Sequence, residues 1–207
     1  AQAAINARYG TININAAKAS VNSSGYAVLA TASDFVNSSD SLVNMEVSDS
    51  LVINGDISSN IRRNDETVVD QQGTRIININ QEKNGSVVIN GDVSTISDAL
   101  THSEVNIGLK TADSVLTGTV NDEYVGGDLS DVTGGTSLSL ENNATWNVTG
   151  DSNVSNVTSD NGVIETNGNQ LTANNITNHE GGTTIETSSG KANQIRIRQV
   201  EGDGLNI

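Results

Sequence analysis

The heptapeptide VINGDIS at residues 52–58 returns as VINGDVS at residues 88–94. Gly73 stands midway between Gly55 and Gly91, so NG, QG and NG recur every 18 residues, and Leu51, Val69 and Val87 keep the same interval. Self-similarity at a fixed period constrains a chain to stacked coils, each too small to bury its apolar face alone. Glycine at a coil corner permits positive φ, and Asn is the next most tolerant residue. Gly55, Gly73 and Gly91 are therefore expected to turn the corners of successive coils. Asn54 and Asn90 would then lie on one exposed edge, two coils apart, together with Asp56 and Asp92.

Between the turns the chain alternates. TININ (11–15) sets Ile12 and Ile14 against Asn13 and Asn15, and IININ (76–80) sets Ile77 and Ile79 against Asn78 and Asn80. QIRIR (194–198) does the same with isoleucine and arginine. Period two over four or five residues marks a half-buried strand. The asparagines of both runs are expected on an outward polar face. The Ala-rich opening (1–7) is expected to form no more than one helical turn. In the last third, Leu138, Trp146, Val154, Val163 and Leu171 follow one another at steps of about eight, which suggests a coil of roughly 24 residues.

Composition selects among all-β architectures. Aromatics are only 2% of the chain, against 34% hydrophobic residues in all. A sandwich core about 10 Å thick calls for longer inward runs and more aromatics. A coil of short strands needs only small aliphatics stacked on their own copies. Proline, which cannot donate to a β-ladder, is absent. A left-handed β-helix would show a sustained hexapeptide pattern, and none is present. The expectation is an all-β, right-handed parallel β-helix (β-solenoid) spanning residues 1–207, with about nine coils in a rod about 40 Å long.

The same composition narrows function. Without cysteine there is neither a disulfide framework nor thiolate chemistry. A net charge of −15 argues against nucleic acid or an anionic membrane as partner. No apolar run is long enough for a membrane helix, and the N-terminus lacks the features of a signal peptide. Asp34, Asp40, Asp49 and Asp56 sit in Ser-Asp and Gly-Asp turns, where the side chain bonds the local backbone. His102 and His179 have no ligand-spaced companion. No catalytic residue, metal or cofactor is expected. The outward polar positions Asn13, Asn15, Asn54, Asp56, Asn78, Asn80, Asn90 and Asp92 are the candidate interaction ladder.

One segment resembles a known family. LSLENNATWNVTGDSNVSNVTSDNGVIE, from residue 138, pairs Leu138 with Leu140 and centres on Ala144-Thr145-Trp146. Gly150-Asp151-Ser152, the spaced pair Val154 and Val157, and Gly162-Val163 follow. This pattern resembles the late passenger region of pertactin-like, AIDA-like autotransporter adhesins, over roughly residues 105–190. The resemblance implies a β-helical passenger exported by type V secretion to the surface of a Gram-negative cell. It implies a cut piece of a longer protein, since the family's signal peptide and translocator barrel are not in the sequence. Trp146 would then be a core or capping aromatic near the end of the stack, or part of an autochaperone-like module. The expected function is a non-catalytic adhesin. Its partners would be a host glycan, an extracellular-matrix protein or a second copy of itself, as in aggregation and biofilm. The alternative is a polysaccharide-acting β-helix, such as a lyase or phage tailspike.

Overall fold

The structure is a computed structural model that describes residues 3–31, 40–60, 72–188 and 194–207. Asp34 and Val69 lie outside the described residues. In chain order the strands are β1 (Ala3–Ala7), β2 (Gly10–Ala30), β3 (Ser41–Asn60), β4 (Gly73–Ile79), β5 (Ser86–Asn90) and β6 (Val93–Ser97). Next come β7 (Thr101–Leu109), β8 (Val115–Thr117), β9 (Val120–Tyr124), β10 (Gly135–Glu141), β11 (Thr145–Asn147) and β12 (Ser152–Asp160). The last are β13 (Gly162–Glu165), β14 (Leu171–Asn178), β15 (Thr183–Glu186), β16 (Ile195–Glu201) and β17 (Leu205–Asn206). They join in one sheet. Every recorded pairing is parallel.

The chain is a parallel β-helix, as its alternation implies. Each strand reaches its parallel neighbour by passing through two other faces, a crossover that strand twist favours in the right-handed sense. The first face stacks parts of β2, β3, β4, β7, β10, β12, β14 and β16. The second stacks parts of β2 and β3 with β5, β8, β11, β13, β15 and β17. The third begins at β1 and uses β2, β3, β6 and β9 before the long strands β12, β14 and β16. Among the described residues each face thus has eight rungs, one fewer than the expected coil number. The described part of the Ala-rich opening, Ala3–Ala7, is strand β1, paired with Tyr26–Ala30, and not a helical turn.

Inward residues form columns of like on like. On the first face Met45, Ile79, Ile107, Leu138, Val157 and Ile176 follow one another, all essentially inaccessible. On the second, Ile53, Ile89, Leu116, Trp146, Ile164 and Ile185 do so. Full burial of such a side chain contributes about 1.5–3 kcal/mol, and the columns supply it rung after rung. Trp146 is fully buried between Leu116 and Ile164, with its indole N–H donating to the Gly118 carbonyl at 3.0 Å. It is a mid-stack core residue and not an end cap. The motif residues Leu138, Leu140, Ser152, Val154 and Gly162 are likewise buried. Val163 faces outward, and the next residue, Ile164, is the inward one that stacks under Trp146.

The expected coil lengths are reversed. Asn54 and Asn90 are 36 residues apart yet sit on adjacent rungs, their side chains bonded at 2.8 Å. They are one coil apart, not two. Gly73 belongs to a different corner, at the start of the first-face strand β4. Short coils occur instead in the C-terminal part, where neighbouring rungs are 19 residues apart. The earlier steps of 31, 34 and 28 residues carry longer connections.

Candidate functional site

Since inward positions are buried and mostly aliphatic, what the chain offers a partner is the outward half of its alternation. On the first face that half forms a column of amides: Asn13, Asn44, Asn78, Asn106, Ser137, Asn156, Asn175 and Gln199 stand in register. Each Nδ2 donates to the side-chain oxygen on the rung before it: Asn44 to Asn13 at 2.8 Å, Asn78 to Asn44 at 2.9 Å, Asn106 to Asn78 at 2.9 Å. The column resumes with Asn156 to Ser137 Oγ at 3.4 Å and Asn175 to Asn156 at 3.0 Å. An amide has two N–H donors and two acceptor lone pairs. At Asn44 and Asn78 stacking uses one of each and leaves one of each for a partner, at a rung spacing of about 4.8 Å, while Asn106 also donates to Glu104 Oε2 at 3.2 Å.

The second face carries a shorter column. Asn54 donates to Asn22 at 2.6 Å and Asn90 to Asn54 at 2.8 Å. Thr117, Asn147, Glu165 and Glu186 continue the register. Asp56 and Asp92 flank it on adjacent rungs and serve the backbone. Asp56 Oδ1 accepts from the Asp92 N–H at 3.0 Å, and Asp92 Oδ1 from the Thr119 N–H at 2.8 Å. Asp40 with Thr74, Asp151 with Gln170, and Asp160 with Gly181 repeat the device at 2.9, 2.9 and 2.7 Å. These aspartates bond the backbone of the next coil, not their own turn as the sequence suggested. Asp49 instead pairs with Lys18 at 3.2 Å.

Of the eight expected ladder residues, Asn13 and Asn78 join the first-face column, and Asn54 and Asn90 the second. Asn15 lies outward beside Glu46 and accepts from Lys83 Nζ. Asn80 does not belong with them. It is fully buried with φ of +46°, its Oδ1 accepting from the Val47 N–H at 2.7 Å and its Nδ2 donating to the Gly85 carbonyl at 2.9 Å. The chain leaves the strand at Ile79, so the inside–outside parity that places Asn78 outward ends before Asn80.

Two buried charged residues escaped sequence reasoning. Asp122, 6% exposed, accepts from Thr95 Oγ1 at 2.7 Å, from the N–H and Oγ1 of Thr136 at 2.8 and 2.7 Å, and from the N–H and Oγ of Ser155 at 2.7 Å each. Its oxygens are occupied by these donors, so it pins three coils. Arg75 is wholly buried on the first face, with Nη1 donating to the Thr74 carbonyl at 3.0 Å. Burial pushes its guanidinium below its ordinary value, opposed by the nearby Asp40 charge. Among the described residues no three His, Asp or Glu side chains converge on a metal-binding geometry. Comparison with family models, with curated proteins and with solved structures finds no match for this chain.

Proposed function

We propose that this chain is a non-catalytic passenger segment of a bacterial surface adhesin that acts by contact through its outward polar columns. The first-face asparagine column is the observation that carries the reading. A row of amides held in fixed orientation by one another loses little side-chain entropy on meeting a partner. It presents a repeating donor–acceptor pair suited to a polar polymer or to the same column on a second copy. The likeness of residues 138–163 to autotransporter passengers supports display outside a Gram-negative cell, with attachment, aggregation and biofilm as the outcomes.

The test is bacterial settling and attachment with the protein displayed on the cell surface. Asn44, Asn78 and Asn106 are changed together to serine, the residue that Ser137 already places in that column. Settling and attachment should fall several-fold at matched display. Undiminished contact with both like cells and host surfaces would overturn the reading.

A further inference from the structure

Four large hydrophobic side chains are exposed among the described residues, and two of them, Val200 and Ile207, belong to the last rung. The other two, Tyr9 at 72% and Leu100 at 47%, precede the first-face strands β2 and β7, three rungs apart. Register relates the rungs between them. Gly10, Ser41, Arg75 and Ser103 are aligned neighbours, which puts Tyr9, Asp40, Thr74 and His102 on successive rungs just before them. Beyond them, Thr11, Leu42, Ile76 and Glu104 form a second outward column, and the asparagines a third.

The first two columns enclose a groove of about 530 Å³ lined by Tyr9, Thr11, Asp40, Leu42, Thr74 and Ile76. Thr74 also lines a second hollow of about 250 Å³, one rung further on, with Asp98, Leu100, His102 and Thr133. Together they form a trough along the rod axis. We propose that this trough binds a linear, uncharged saccharide of about three or four pyranose units, one ring per rung spacing of ~4.8 Å. The proposal rests on the contact-binding reading above and adds to the amide column a second contact site with its ligand class.

The chemistry of the walls decides the class. Leu42 and Ile76 make an apolar floor, and Tyr9 offers a ring face at one end, matching the C–H faces of pyranose rings. The rims supply what sugar hydroxyls need: Thr11 and Thr74 hydroxyls, the Asp40 carboxylate, and the amide column alongside. Asp40 accepts from Thr74 through Oδ1, at 2.9 and 3.1 Å from its N–H and Oγ1. Charge disfavours uronates and sulfated sugars. Asp40 lines the groove and Asp98 the second hollow, and the imidazole of His102 there is already engaged with Glu104. An extended peptide has no strand to pair with here, because the central first-face strands are bonded on both sides.

The experiment is titration calorimetry on the whole chain with neutral tetrasaccharides of gluco-, manno- and N-acetylglucosamine type, alongside tetragalacturonate. At least one neutral tetrasaccharide should bind and tetragalacturonate should not. Tyr9→Ala should weaken binding about tenfold or more and Tyr9→Phe little, with unchanged circular dichroism for both. No binding of any neutral tetrasaccharide at about 10 mM overturns the proposal. So does tetragalacturonate binding as tightly as the neutral sugars, or Tyr9→Ala binding as wild type. An acidic or unstructured peptide binding the trough in place of the sugars also overturns it. Settling assays separate this result from the adhesin reading. Cells that settle through the asparagine column while every sugar fails would remove the saccharide site alone.

Discussion

Single residues bear the weight of the coil-to-coil contacts. Gly25, Gly55, Gly91 and Gly118 stack at the corner between the second and third faces, where a Cβ on any of the last three would collide with the preceding glycine's carbonyl oxygen. Gly55 also needs glycine for its φ of +124°; Gly91 needs it for close approach alone. Gly91→Ala should therefore destabilise by about 3 kcal/mol through overpacking, read as a lowered urea midpoint. Asp122→Ala would leave the buried donors of Thr95, Thr136 and Ser155 without an acceptor. The expected loss is about 3 kcal/mol or more. Asp203→Asn, on an exposed turn, should shift the same midpoint little. Equal midpoints for the two aspartate variants would contradict the role given to Asp122. Asn80→Asp should also destabilise, because it turns the donor facing the Gly85 carbonyl into an acceptor.

At the scale of strands and coils, alternation was legible and period was not. Ile77 and Ile79 read as inward and are inward, because parity within a strand is set by the pleat. The coil length was misread because Gly73 falls midway between Gly55 and Gly91 by coincidence, while the true repeat of 36 residues contains longer connections. Asn80 was misplaced because a strand's end cannot be seen in a polar-alternating run. The trough was invisible because Tyr9, Asp40, Thr74 and His102 come together only through register across the connections. Trp146, legible as the centre of a motif, was placed near an end, and the stack continues beyond it on both sides. Its emission should be blue-shifted and resistant to iodide. Trp146→Ala should cost about 3–5 kcal/mol. Emission typical of water with free quenching would place it outside the column.

At the scale of the whole molecule, the eight rungs that the described residues form on each face make a rod about 35 Å long at ~4.8 Å per rung. Its first face carries both the amide column and the trough, and both depend on which coil follows which. The absence of cysteine makes that register directly measurable. Asn54→Cys combined with Asn90→Cys places two thiols on adjacent parallel rungs, within the Cα separation of roughly 4.4–6.8 Å that a disulfide spans. Mild oxidation should close this pair rapidly and nearly completely in the folded chain. Asn54→Cys with Gln72→Cys should stay reduced under the same conditions. Closure of the 54–72 pair in preference to the 54–90 pair would mean an 18-residue coil, and would contradict the register on which both the column and the trough are built.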